Sequence, residues 1–146
     1  MTESQCGSLA RRWFADMWGQ RREELIFDLM APNCTGQTEA GPIVGPEQWR
    51  DQIYRPFLNA LPDLSIEIVG VVEGNDEAVV RWEATGIHQG DGFGIPGSGL
   101  KVRFRGMTWL RFANGQIVEG ADSWNQSGVM ATLGAPATPS AEVLAS

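Results

Sequence analysis

Asp122 is the residue whose type and setting could do chemistry. It stands in Ile117-Val118-Glu119-Gly120-Ala121-Asp122-Ser123-Trp124-Asn125, a run with the composition of a strand. The preceding Ala113-Asn114-Gly115-Gln116 carries an Asn-Gly pair, the signal of a tight hairpin turn with positive φ. Such a turn pairs residues whose numbers sum to about 229 or 230, which sets Asp122 near Thr108 and Gly120 near Leu110. Alternation then gathers Phe104, Thr108, Leu110, Val118, Asp122 and Trp124 on one side, and Arg103, Arg105, Arg111, Glu119 and Ser123 on the other. The first side is mostly apolar. A carboxylate there must be paired, partly wet or protonated, because an isolated buried one is costly to ionise. Asp122 is therefore a candidate acid or base. Its competing structural role is to accept hydrogen bonds from backbone amides or an indole, and a register slip by one residue would turn it to the charged side.

His88 is the second candidate. In the run Ala78 to His88, the residues Val80, Trp82, Ala84, Gly86 and His88 share a face. If the glycine-rich stretch Gln89 to Gly99 is a hairpin loop, numbers summing to about 190 pair up, with Trp82 near Thr108 and His88 near Val102. Trp82, Thr108 and Asp122 then form a row across three strands. His88, at its strand end on the same face, could polarise a substrate or bond to loop backbone.

The elements that must position these residues are helices first and strands second. Leu9, Trp13, Phe14, Met17 and Trp18 recur at helical spacing over Ser8 to Trp18, and Gly19 can end that helix. Arg21 to Met30 predicts a second helix, stopped at Ala31-Pro32. Asn33 to Thr38 reads as a short polar strand or loop. Gly45-Pro46-Glu47 opens a third helix through Trp49, Ile53 and Phe57, which Pro56 should kink or interrupt. Period two then takes over in Leu64 to Glu73, Ala78 to His88, Leu100 to Phe112 and Ile117 to Asn125. This order is that of an α+β domain. The small, proline-containing tail from Ala135 to Ser146 predicts disorder or loose docking, which leaves one domain over residues 1–134.

At 146 residues the chain has room for one domain with a real core. An apolar fraction of 42% and six tryptophans point to a heavy core, an aromatic-lined cavity, or both. A net charge of −7 and a pI near 4.6 argue against nucleic acid or an anionic membrane as the main partner. Cys6 and Cys34 fit neither a zinc spacing nor a disulfide scaffold, and His88 is the sole histidine, so no metal is expected. With no long apolar run and no signal-like N-terminus, the expected location is cytoplasmic. Met107 and Trp109 lie among alternating charges from Arg81, Glu83, Arg103, Arg105, Arg111 and Glu119, a pattern that suits a homodimer interface on the outer sheet face.

Several motifs carry a family resemblance. Gly86-Ile87-His88-Gln89-Gly90, Gly94-Ile95-Pro96-Gly97-Ser98-Gly99, Gly106, Asn114-Gly115-Gln116-Ile117-Val118-Glu119 and Asp122-Ser123-Trp124, with Leu61-Pro62-Asp63-Leu64 and Leu133-Gly134, follow one another over residues 8–134. In that order they resemble the SnoaL-like polyketide cyclase (ester cyclase) family. The resemblance implies an NTF2-like cone, in which three N-terminal helices pack on a strongly curved, mainly antiparallel sheet around a deep pocket, usually as a homodimer. It also implies a cofactor-independent intramolecular aldol closure on a hydrophobic carbonyl substrate, with Asp122 as the acid/base. Trp82, Phe104, Thr108, Trp124, Gln37, Phe14 and Trp18 are then candidate substrate-binding residues. The chain departs from the family pattern at Asn125, where a second acid is common, and at Gln37 and Thr108, where histidines are expected.

Two other functions compete. A limonene-epoxide-hydrolase type would need an Asp-Arg-Asp arrangement, of which this chain offers Asp122 alone. A non-catalytic small-molecule-binding module would use the same apolar walls. The feature that separates them is whether Asp122 faces an open cavity or is covered by several hydrogen-bond donors.

Overall fold

Thr2 starts the first helix, because its hydroxyl accepts from the Gln5 amide while the Gln5 side chain accepts from the Thr2 amide. The computed structural model describes residues 1–134, so the tail predicted to be loose lies outside the described residues. Helix α1 (Glu3–Arg12) runs into a π-helical segment, Trp13–Gly19, that buries Trp13, Phe14, Met17 and Trp18. A short α2 (Glu24–Leu29) follows. The third helix is broken into α3 (Gly45–Trp49), a π-helical Arg50–Tyr54 and α4 (Arg55–Ala60). Pro56 explains the break, since it lacks the amide that would bond to the Gln52 carbonyl. Both wide segments supply side chains to the cavity described below, the setting in which π turns are often found. Among the described residues, no helix is long and apolar enough to cross a membrane.

The strands are β1 (Met30–Thr38), β2 (Gly41–Val44), β3 (Ser65–Glu73), β4 (Glu77–Ile87), β5 (Lys101–Ala113) and β6 (Gln116–Trp124). They form one open sheet in the order β2-β1-β6-β5-β4-β3, antiparallel except where β1 runs parallel to β6. Register shifts in β3, in β6 and at the β1·β6 pairing bend it, because a bulged strand turns and twists more strongly. The helices pack on this curved sheet, giving the predicted α+β architecture. Helix α5 (Gln126–Thr132), which has no clear periodic signal, closes the described chain. Asn125 caps it by accepting from the Gly128 amide at 2.9 Å.

The hairpin turn has positive φ at both Asn114 and Gly115, and Thr108 lies opposite Asp122 and Leu110 opposite Gly120, as the turn arithmetic predicts. Two details differ. The bulge makes Ile117 the buried partner of Phe112, so Val118 is the extra residue rather than a regular member of the inner row. Between β4 and β5 the pairing is offset by two residues, with Trp82 opposite Gly106 and the His88 amide donating to the Leu100 carbonyl. An even offset leaves every side chain on its expected face. The inner residues Ala78, Val80, Trp82 and Ala84 of β4 are buried, as are Val102, Phe104, Thr108, Leu110 and Phe112 of β5.

Candidate active site

The inner rows of β4, β5 and β6, the two π-helical segments and α5 enclose a cavity of about 190 Å³. A 150 Å³ apolar cavity takes a benzene, so this one has room for roughly one or two rings. Asp122 lines it together with Trp82, Phe104, Thr108, Trp124, Phe14 and Trp18. Six of the seven substrate-binding candidates therefore meet there. Gln37 does not. It is exposed on β1 opposite Ala121 and lines a smaller recess that shares Thr108 and Asp122.

His88 is also outside the cavity wall, which removes it as a group to polarise a substrate there and leaves the other role expected of it, a bond to loop backbone. It is fully buried under the Gln89–Gly99 loop, where its Nδ1 accepts from the Ser98 amide at 3.1 Å and lies 2.9 Å from Ser98 Oγ. Its own amide and carbonyl bond to Leu100 and Gly99, so the histidine fastens both ends of the loop. Its ring stacks on Phe93, which does reach the cavity. The face assignment was right, but the loop folds over the ring and takes it out of reach.

A directed chain of hydrogen bonds fixes Asp122. Trp82 Nε1 donates to Thr108 Oγ1 at 3.0 Å, and Thr108 Oγ1 donates to Asp122 Oδ1 at 2.6 Å. Among the described residues no other donor reaches the carboxylate. Gly106 makes the first bond possible, since a Cβ there would lie 2.4 Å from the Trp82 ring. Poor solvation inside the protein pushes the Asp122 pKa up to about 6, with the Thr108 bond pulling down and the nearby Glu39 charge adding to the rise.

The remaining walls are aromatic. Phe104 lies 5.0 Å from Trp124, Phe57 bridges Trp124 and Phe93, and Trp18 stands edge-on to Trp49 at 5.4 Å. The exposed side chains of Glu39, in the β1–β2 turn, and Gln52 also line the cavity and so mark its mouth, and Gln126 of α5 contributes a further polar group. The sequence reading missed all three. The turn before Gly41 was the visible signal for Glu39, whereas nothing periodic marks Gln52 or Gln126. Among the described residues, no three His, Cys, Asp or Glu side chains gather to hold a metal ion.

Comparison with known proteins agrees with this architecture. No curated protein sequence matches the chain. A solved structure of a candidate SnoaL-like polyketide cyclase from Jannaschia sp. CCS1 superposes with a TM-score of 0.83 at 25% identity, covering 92% of this chain and 95% of that one. AclR, a candidate hydroxylase from Streptomyces galilaeus, gives 0.80 at 23% identity over 99% and 90% of the two chains. A protein of ketosteroid isomerase-like fold from Catenulispora acidiphila, solved in complex with trimethylamine, gives 0.68 at 20% identity over 88% and 93%. The family model for SnoaL-like polyketide cyclases matches residues 8–133, and the chain belongs to that family.

Proposed function

We propose that this protein is a cofactor-independent cyclase that closes a ring by intramolecular aldol addition, with Asp122 as the acid/base. The observation that carries this reading is the setting of Asp122: a carboxylate on the cavity wall, held by a single donor, with a pKa near 6. A purely structural aspartate would be tied down by several donors. A base that works near neutral pH needs a raised pKa.

Asp122 removes a proton α to a substrate carbonyl, leaving an enolate. The enolate carbon attacks a second carbonyl carbon of the same molecule, forming the carbon–carbon bond, and the resulting alkoxide takes the proton back from Asp122. Thr108 occupies Oδ1, so Oδ2 is the oxygen that reacts. The aromatic walls hold the apolar body of the substrate and keep water from quenching the enolate. An epoxide-hydrolase chemistry is less well served, because no arginine lines this cavity among the described residues and Thr108 lies opposite Asp122. The working form is a homodimer joined through the outer sheet face, where Met107 is 55% exposed.

The test is exchange of the α-proton of a neutral cyclic β-keto ester in D₂O, followed by proton NMR. The protein accelerates exchange, and Asp122→Asn abolishes the acceleration. Equal acceleration by both proteins overturns the assignment.

A further inference from the structure

Five of the six tryptophans, Trp13, Trp18, Trp49, Trp82 and Trp124, line the cavity, and its ionisable groups are two acids, Asp122 and Glu39. Among the described residues, no Lys, Arg or His lines it. The sequence beyond residue 134 contains none either. The electrostatics of this enclosure are therefore one-sided. Carboxylates and the negative faces of indole rings repel an anion and attract a cation, most strongly where water is excluded.

The proposed chemistry sharpens this. When Asp122 takes a proton, negative charge moves from the carboxylate to the enolate oxygen, and stabilising that oxygen calls for positive charge or several donors. Among the described residues, no cation lines the cavity. Of the polar groups that line the cavity, the Thr108 hydroxyl proton and the Trp82 N–H are already committed, which leaves the neutral side-chain amides of Gln52 and Gln126 as donors. Glu39, at the mouth, makes a second negative charge in the same space less favourable. A positive charge on the substrate itself would answer each of these points.

We infer that the ligand of this cavity is a cyclic or aromatic ammonium ion, whose ring lies among Trp18, Trp49, Phe104 and Trp124 and whose nitrogen faces Asp122 and Glu39. This rests on the acid/base reading for its catalytic meaning, although the binding claim stands without it. With an ammonium present, proton abstraction produces a zwitterion beside a neutral Asp122, and no net negative charge builds up on the substrate.

Three probes with one ring system test it by calorimetry at pH 8: 2-naphthylmethylammonium, 2-naphthylmethanol and 2-naphthoate. The ammonium should bind about tenfold or more tightly than the alcohol, and the carboxylate should bind weakest. Glu39→Gln, a near-isosteric change on an exposed turn, should cut the ammonium's advantage severalfold, and Asp122→Asn should cut it further. An ammonium that binds no better than the alcohol, or an advantage untouched by either substitution, overturns the inference. Loss of the cation preference with normal keto-ester exchange sinks this inference and spares the acid/base role. Retained preference without exchange does the reverse.

Discussion

Trp82 Nε1 lies 3.0 Å from Thr108 Oγ1, and that one contact sets the direction of the hydrogen bonding at Asp122. An indole nitrogen can only donate, so Thr108 must accept with its oxygen and spend its single proton on the carboxylate. Asp122 Oδ1 thus accepts in either protonation state, and the exchangeable proton belongs to Oδ2.

Removing that donor should move the titration of Asp122. Thr108→Val keeps the shape of the side chain but deletes the hydroxyl, which pulls the pKa down, so the midpoint should rise above about 6. Carboxyl carbon NMR across a pH series measures it. The same change leaves the Trp82 N–H buried without its partner, at a cost of about 1–3 kcal/mol. A midpoint that stays put or falls would show that the bond does not govern the carboxyl.

Asp122→Asn should lower turnover roughly 10²-fold to 10⁴-fold, the usual contribution of a positioned acid/base. Its effect on stability should depend on pH. The folded carboxyl keeps its proton up to about pH 6, whereas the unfolded one releases it near pH 3.9. The raised folded pKa contributes stability that is fully present below about pH 4 and is lost as pH rises through about 6. The wild type should lose about 2–3 kcal/mol across that window relative to the Asn variant. Urea unfolding at pH 4 and pH 8 provides the comparison, and parallel behaviour of the two proteins would contradict it.

Gly106→Ala should act on the site without touching Asp122. The added methyl would meet the Trp82 ring at 2.4 Å and the Ser123 carbonyl at 2.7 Å, so the indole must swing away from Thr108. Overpacking of this kind costs about 1–3 kcal/mol. The melting temperature should fall, while the Asp122 midpoint should move less than in Thr108→Val, because the Thr108 hydroxyl still donates to the carboxylate. A variant with the wild-type melting temperature would mean that the indole stays in place.

The rate of α-proton exchange should rise with pH through about 6 and then level off, because the ionised carboxylate is the base. Exchange that falls over that range would assign the proton-bearing form to the slow step instead.

Met107→Glu tests the outer face. Met107 is 55% exposed beside Arg81, its cross-strand partner on β4. A charge there should shift the association midpoint by about tenfold or more while leaving circular dichroism unchanged. Sedimentation equilibrium at micromolar protein reads it directly. A wild type that sediments only as a monomer would end the dimer proposal.

The sequence by itself determined the four long strands, their inner and outer faces, and the opposition of Asp122 and Thr108. Those features rest on local rules: alternation has a period of two, and the short Asn114-Gly115 turn holds the hairpin register to within one bulged residue. Tertiary structure decided what long connections hide. The loop from Gln89 to Gly99 could take up two residues of offset between β4 and β5, and it closed over His88 where the sequence offered an open strand end. The bulge at Val118, the parallel pairing of β1 with β6, and the meeting of Glu39, Gln52 and Gln126 around the cavity also lay beyond reading. The β1–β6 pairing and the cavity lining join segments far apart in the chain, and a contact between distant segments leaves no periodic trace in either one, whereas the bulge lies within the hairpin and adds a residue that alternation alone does not mark.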